Sequence, residues 1–141
     1  MSIWYRNYEL VQINNRNKNT MVEHCDISIT EVGEDFLEGT MPVDNRTKQP
    51  FGILHGGANC VLAETLGSIA ANLTCNPDTH HAVGLSITTN HIKAVRNGLV
   101  TGTARPKHLG RTTQVWEIKT VDEAHKLTSV TTLTMMIVER L

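Results

Sequence analysis

The residues best suited to chemistry lie close together, in the stretch from Gln49 to Ser68. It contains the sequence His55-Gly56-Gly57, followed by an apolar segment, residues 58–73, whose only charged residue is Glu64. Glycine at the start of a helix lets a ligand approach the backbone and leaves amide N–H groups free to bind an oxygen that gains negative charge. A carboxylate on the same segment can act as a base or as a nucleophile. Together these groups suit the hydrolysis of an activated ester.

The element that must position these groups is a helix, predicted near residues 57–74 and closed by the stop sequence Asn76-Pro77-Asp78. Glu64 follows Gly57 by roughly two turns, so both belong to one helical face. At ~100° per residue, the apolar face that should pack on a sheet contains Leu62, Ala63, Leu66, Ile69, Ala70 and Leu73. The opposite face contains Cys60, Val61, Glu64, Thr65, Gly67, Ser68, Ala71 and Asn72.

That second face carries one acid among small residues, whereas a solvated helix face normally carries several charges. If the face is partly enclosed, desolvation raises the pKa of Glu64, which suits a base that works near neutral pH. The alternative is an ordinary solvated acid. Ser68, one turn further on, could hold a water beside the acid or simply allow close packing. His55 could contact substrate or cap the helix, and the Gln49 amide could polarise a carbonyl or serve only the turn before it.

The rest of the chain predicts strands. Residues 1–22 are polar and Asn-rich and predict a short helix followed by a loop. Alternation of apolar and polar residues from His24, and again over residues 36–43, predicts two strands before the helix. Four further strands are predicted at about 83–95, 99–105, 112–121 and 127–138. Because the turns between the later strands are short, we expect an antiparallel sheet with the single helix on one face, an α+β fold.

Composition narrows the class of protein. The chain has 141 residues, 40% of them apolar, and a net charge of −1, which predicts one domain over residues 1–141 and argues against nucleic acid as a partner. The N-terminus is too polar for a signal peptide, and no apolar run predicts a membrane span. Three cysteines without a C-x-x-C pair predict reduced thiols in a cytoplasmic protein. Seven histidines without ligand spacing predict no metal site.

A series of short motifs occurs in order from about residue 25 to the end of the chain. The motifs are Met41-Pro42-Val43-Asp44, Thr47-Lys48-Gln49-Pro50-Phe51-Gly52, Leu54-His55-Gly56-Gly57, Leu62-Ala63-Glu64, Val83-Gly84-Leu85, Asn90-His91 and His108-Leu109-Gly110-Arg111. In this series the chain resembles the hotdog-fold thioesterases, in the branch that contains the 1,4-dihydroxy-2-naphthoyl-CoA thioesterases and the proofreading thioesterases of enterobactin synthesis. The acid at position 64, and not at the start of the helix, places the chain with the members that use a glutamate.

The resemblance implies a curved antiparallel sheet of about five to six strands wrapped around one long central helix. It also implies a homodimer, or a tetramer built as a dimer of dimers, with active sites at the subunit interface. The substrate would be an acyl-CoA, or the thioester of an acyl carrier protein, with an aromatic acyl group of the 1,4-dihydroxy-2-naphthoyl or benzoyl type. A place in menaquinone biosynthesis follows from the first of these. No metal or cofactor is needed, because a thioester is already activated.

Roles for individual residues follow from the same resemblance. The Gly56 amide and Gln49 would polarise the thioester carbonyl, and Glu64 of the other subunit would attack that carbonyl or activate water. Ser68 would place the water. Residues implied to line the site or contact substrate are His55, Gly57 and His91. Candidates for the CoA phosphates are Lys93, Lys107, His108, Gly110 and Arg111, each of which could instead be ordinary surface.

Two other functions fit the same residues. A hotdog dehydratase or isomerase would use His55 and Glu64 to shuttle protons on an acyl thioester. An acyl-CoA sensor would use the pocket without catalysis, but the two dozen residues before the first strand leave little room for a DNA-binding helix pair. Residues 59–60 and 86–89 depart from the family pattern, which leaves the identity of the acyl group open.

Overall fold

One long helix is wrapped by a six-stranded antiparallel sheet in the computed structural model, which describes all 141 residues. The elements, in chain order, are α1 (Leu10–Asn15), α2 (Met21–His24), β1 (Ser28–Val32), β2 (Leu37–Pro42), α3 (Gly56–Thr74), β3 (His80–His91), β4 (Leu99–Leu109), β5 (Thr113–Val121) and β6 (Leu127–Glu139). The strand order is β1-β2-β4-β5-β6-β3, and every pairing is antiparallel. The predicted α+β architecture is therefore confirmed, with β1 and β3 at the two edges.

Strands β2, β5 and β6 begin and end within one residue of the predicted positions, whereas β3 lies three to four residues earlier than predicted, β4 continues four residues further, to Leu109, and the first strand begins later. His24 was predicted to open the first strand, but it ends the short helix α2, and β1 begins at Ser28. The alternation of Ile27 and Ile29 is nevertheless real, because both side chains are buried. The backbone turns at Asp26, which has a φ of 54°, and this turn separates the helix from the strand.

Helix α3 lies in the concave side of the sheet and contacts strands β2 to β6. Its buried residues are Asn59, Leu62, Ala63, Leu66, Gly67, Ala70, Ala71 and Leu73. The prediction that Gly67 and Ala71 lie on the open face is wrong. A Cβ at position 67 would lie 2.4 Å from Leu133 Cδ2, so the missing side chain lets the helix approach β6 closely. None of the three helices is long and apolar enough to cross a lipid bilayer.

Residues 1–24 form an ordered layer against the end of α3 and the edge of the sheet, with two short helices where one helix and a loop were predicted. Trp4 stacks on Trp116 with ring centroids 6.3 Å apart, and its Nε1–H donates to the Gly33 carbonyl. The Tyr5 N–H donates to the carbonyl of Leu73. Asn14 exchanges two hydrogen bonds with the backbone of Ile29 and so pairs with β1 as another strand would. We call residues 1–24 the N-terminal layer.

Candidate active site

The start of α3 offers one free backbone donor. The N–H of Gly57 donates to His55 Nδ1 at 2.8 Å, and the N–H groups of Ala58 and Asn59 donate to the His55 carbonyl. The N–H of Gly56 donates no hydrogen bond within the chain. His55 is thus the N-cap of the helix, and the expectation that the Gly57 amide is also free is wrong. The Gly56 amide remains available to an oxygen at the positive end of the helix dipole.

Because His55 caps the helix, substitutions at position 55 should allow its effect on stability to be separated from its effect on catalysis. His55→Ala should lower the free energy of unfolding by about 1 kcal/mol, because the Gly57 N–H loses its acceptor. His55→Asn should restore that stability, because Asn is a strong N-cap residue. Urea denaturation of the three proteins measures this difference. A variant His55→Ala as stable as the wild type would contradict the capping role, and slow turnover by a stable His55→Asn variant would show that the imidazole also contacts substrate.

Gln49 is held so that its amide nitrogen faces outward. Its side-chain Oε1 accepts a hydrogen bond from the N–H of Phe51, and its backbone N–H donates to the Ile53 carbonyl. The carboxamide oxygen is therefore occupied, and Nε2 makes no hydrogen bond within the chain. The carboxamide oxygen thus serves the turn before α3, while Nε2 is free to bind another group.

His91, at the end of β3, brings an imidazole ring to the same place. A Cβ at Gly56 would lie 3.0 Å from His91 Nε2, so the imidazole covers the glycine directly. Asn59, which is 5% exposed, holds the ring through a contact of 3.3 Å between its Nδ2 and His91 Nδ1. This contact engages Nδ1 and leaves the other ring nitrogen, Nε2, over Gly56, while the Asn59 Oδ1 atom is buried without a partner. Asn59 was not predicted as a site residue; its only mark in the sequence is a polar side chain in the first turn of an otherwise apolar helix.

These donors share one cavity of 300 Å³, lined by Gln49, Ile53, Leu54, Gly56, Asn59, His91, Ile92, Lys93 and Ala94. Lys93 was a candidate for a CoA phosphate, and its ammonium group is bonded to Asp122. That hydrogen bond lowers the pKa of Asp122 below its ordinary value. The structure therefore brings Gln49, Gly56, His91 and Lys93 together around one space. We call this space the donor cavity.

Glu64 and Ser68 line a different space, a groove of 410 Å³ on the open side of α3. The other walls of this groove are Asn17, Met21, Val22, Val61, Thr65 and Ile69. The carboxylate lies against β3, where a Cβ at Gly84 would be 2.7 Å from Glu64 Oε1. The Glu64 side chain is exposed, so the chain itself does not supply the enclosure that the sequence predicted for it. We call this space the acid groove.

The donor cavity and the acid groove lie on one helix but are too far apart to hold one carbonyl together. Gly56 and Glu64 are separated by about 12 Å along the axis of α3. Strand β3, which runs past both, pairs only with β6 and leaves its other edge unpaired. That strand also exposes Val83 and Leu85, which are 40% and 57% accessible. Unpaired edges of this kind are surfaces on which another chain can dock.

The remaining phosphate candidates lie at the other end of α3. Gly110 and Arg111 line a cavity of 270 Å³ with Thr74, Cys75, Asn76, His80, Gln114 and Ile137. The His108 ring folds over Gly110, and Lys107 pairs with Glu117 at 3.5 Å. Cys75 at the helix end is buried, and burial raises the pKa of its thiol. Within one chain, these residues are separated from the donor cavity by roughly the 28 Å length of the helix.

Comparisons with known proteins extend over nearly the whole chain. The sequence matches the Thioesterase superfamily over residues 51–129. It is 47% identical to the 1,4-dihydroxy-2-naphthoyl-CoA hydrolase of Escherichia coli, covering 96% of this chain and 98% of that protein. It is 52% identical to the proofreading thioesterase EntH of Cronobacter sakazakii, covering 86% of this chain and 88% of that protein.

Solved structures, among them thioesterases, are also similar to this chain over most of its length. A thioesterase from Pseudomonas aeruginosa, determined as a glutamine-to-alanine variant, has a TM-score of 0.97 and 41% identity, covering 99% of this chain and 100% of that chain. A Staphylococcus aureus protein determined as a glutamate-to-alanine variant has a TM-score of 0.83 and 34% identity, covering 85% of this chain and 99% of that chain. A glutamine-to-alanine variant of the same protein, there called a thioesterase, has a TM-score of 0.81 at 34% identity, covering 83% of this chain and 97% of that chain.

Proposed function

Because the chain belongs to the thioesterase superfamily, we propose that this thioester hydrolase converts an acyl-CoA with an aromatic acyl group to the free acid and CoA. The chief support is the convergence on one cavity of three groups that make no hydrogen bond within the chain, Gly56 N–H, Gln49 Nε2 and His91 Nε2. Donors held in this way stabilise an oxygen that becomes negative as a thioester carbonyl is attacked. A carboxylate in reach of that carbonyl completes the set of groups that hydrolysis needs.

The donor cavity and the acid groove have different roles in the reaction. The donor cavity polarises the carbonyl, and Glu64 removes a proton from a water held with Ser68 or attacks the carbonyl carbon itself. A carbon–oxygen bond forms, the carbon–sulfur bond breaks, and the sulfur leaves as the CoA thiolate, which then takes a proton. If Glu64 attacks first, water hydrolyses the resulting anhydride and returns the carboxylate. Both routes give one acid and one CoA for each water consumed.

The site is shared between two subunits in this proposal. The donor cavity of one chain meets the acid groove of its partner, because about 12 Å separates them within one chain. Docking along the unpaired edge of β3 would cover Glu64 and the exposed Val83 and Leu85, and so would supply the desolvation that the single chain lacks. The resulting dimer, or a tetramer of two such dimers, is the functional unit.

A spacing in a related protein supports the choice of residues. The glutamine and the glutamate replaced in the Staphylococcus aureus structures are 15 positions apart. Gln49 and Glu64 are separated by the same 15 positions here. Arg111, with Gly110 and His108, is the proposed contact for a CoA phosphate, since an arginine guanidinium suits phosphate oxygens. Lys107 is less suited, because its ammonium already faces Glu117.

The aromatic acyl group is proposed by analogy with the relative named 1,4-dihydroxy-2-naphthoyl-CoA hydrolase. A place in menaquinone biosynthesis belongs to the same proposal, and acyl carrier protein is the alternative carrier. The acid groove has 410 Å³ of space and mostly apolar walls, which suits a ring system.

Incubation with benzoyl-CoA tests the reaction directly. We expect one free thiol for each benzoate released, measured with a thiol reagent and by chromatography. A 3-hydroxyacyl-CoA should yield the hydroxy acid and no enoyl-CoA. Formation of an enoyl product without free thiol would instead indicate a dehydratase, and binding of either thioester without any product would indicate a sensor.

A further inference from the structure

The acid groove does not end at Ser68. A second cavity, of 260 Å³, lies between α3 and the N-terminal layer. Asn17, Ser68 and Ile69 line both spaces, so the second cavity continues the acid groove along the helix. We call it the distal cavity. An acyl group that starts at Glu64 and follows the helix therefore passes Ser68 and enters the distal cavity.

The helix gives the dimensions of this path. Ser68 lies about 6 Å beyond Glu64 along the axis of α3, and Asn72, which also lines the distal cavity, lies about 12 Å beyond Glu64. A single aromatic ring fills only the first part of this length. An aromatic acyl group that carries a substituent opposite its carbonyl reaches the second part.

The two connected spaces carry opposite charge. Glu64 is the only ionisable residue of the acid groove. The distal cavity is lined by two arginines, Arg6 and Arg16, and by no acidic residue. Neither arginine forms an ion pair with a carboxylate of the chain. The rest of the lining combines the apolar residues Ile13, Ile69 and Leu73 with Tyr8 and the polar residues Gln12, Asn17, Ser68 and Asn72.

The N-terminal layer anchors the backbone from which the two exposed arginine side chains extend. Arg6 follows Trp4 and Tyr5, which are fixed to the sheet and to the end of α3, and its guanidinium lies 5.3 Å from the Tyr8 ring centroid. Arg16 is the C-cap of α1, two residues after Asn14, which holds this helix on β1. Side chains that leave an anchored backbone lose less freedom when they bind a ligand, which favours recognition.

We propose that the distal cavity binds the far end of the acyl group and that Arg6 and Arg16 select a carboxylate there. Guanidinium groups pair with carboxylates through charge-assisted hydrogen bonds, and the apolar stretch before them suits the ring of the acyl group. The substrate class is thus an aromatic acyl-CoA with an anionic substituent remote from the thioester. This inference rests on the proposed hydrolysis and adds to it the chemistry of the acyl group.

Two rigid substrates that differ by one group test the inference. Cinnamoyl-CoA and 4-carboxycinnamoyl-CoA share a ring and a thioester, and only the second has a distal carboxylate. We expect a higher kcat/KM for 4-carboxycinnamoyl-CoA, and we expect the Arg6→Gln/Arg16→Gln double variant to reduce the ratio of the two values by about tenfold or more. Lys18→Gln is the matched control, because it removes a positive charge from the same layer outside both cavities. It should leave the ratio unchanged.

The outcomes separate the two proposals. Hydrolysis of cinnamoyl-CoA without any preference for the carboxylated substrate would overturn the role of the distal cavity alone. A preference that survives in the double variant, or that Lys18→Gln abolishes equally, would overturn it as well. Failure to hydrolyse either substrate would overturn the proposed function and this inference together.

Discussion

Replacing Glu64 with glutamine is expected to lower turnover of an acyl-CoA by about 10²- to 10⁴-fold, with little change in fold or assembly. Glutamine has the shape of the glutamate side chain but can neither accept the proton of a water nor attack a carbonyl. The side chain is exposed in the single chain and forms no ion pair, so its charge is not needed for packing. Steady-state release of free thiol from benzoyl-CoA measures the effect.

Glu31→Gln is a suitable control for this variant. Glu31 is also an exposed glutamate, on β1, and it forms neither an ion pair nor a side-chain hydrogen bond. Its replacement makes the same change of net charge and should leave turnover as in the wild type. Circular dichroism and size-exclusion chromatography should show the same fold and size for both variants. Turnover by Glu64→Gln within a few-fold of the control would rule out Glu64 as base and as nucleophile.

Co-expression of two inactive variants is expected to restore about a quarter of wild-type turnover. Gln49→Ala removes a donor from one half of the shared site and should by itself cost about 10²- to 10³-fold. Glu64→Gln disables the other half. When the two chains pair at random, half of the dimers are mixed, and one of the two sites in each mixed dimer joins an unaltered Gln49 to an unaltered Glu64. Activity then returns without any wild-type chain.

A second mixture controls for turnover that does not require a complete site. A chain with both substitutions, co-expressed with Gln49→Ala, forms mixed dimers in which neither site is intact, so it should stay inactive. If Gln49 and Glu64 of one chain served the same site, the first mixture would stay inactive as well. Tandem purification through two different tags shows in each case that mixed dimers have formed.

The sequence alone predicted the parts of the site that depend on residues close together in the chain. The His55-Gly56-Gly57 turn, the apolar run after it and the stop at Pro77 predicted α3 to within a residue of its observed start. The alternation of the later strands predicted an antiparallel sheet, and the family resemblance drawn from the motifs is confirmed by the superfamily match.

Contacts between segments that are far apart in the chain could not be predicted from the sequence. Gly67 was assigned to the open face because a helix that packs on a flat sheet buries only one side. This sheet curves around α3 and therefore also buries Gly67 and Ala71. Nothing in the sequence around Lys93 indicates that its ammonium group bonds to Asp122, which lies on the turn between β5 and β6. The Asn-rich start of the chain has no helical or strand period, so its place against α3 could not be deduced.

The stacked indoles of Trp4 and Trp116 have a consequence for how the molecule folds. They are the only two tryptophans, they lie near opposite ends of the chain, and they meet where the N-terminal layer covers the sheet. On the ribosome the first emerges long before the strand that carries the second, so the two rings can stack only once β5 has been synthesised. Intrinsic fluorescence therefore reports whether the N-terminal layer is docked. A molecule with this layer undocked would keep Glu64 on α3 but would lack one wall of the acid groove, formed by Asn17, Met21 and Val22.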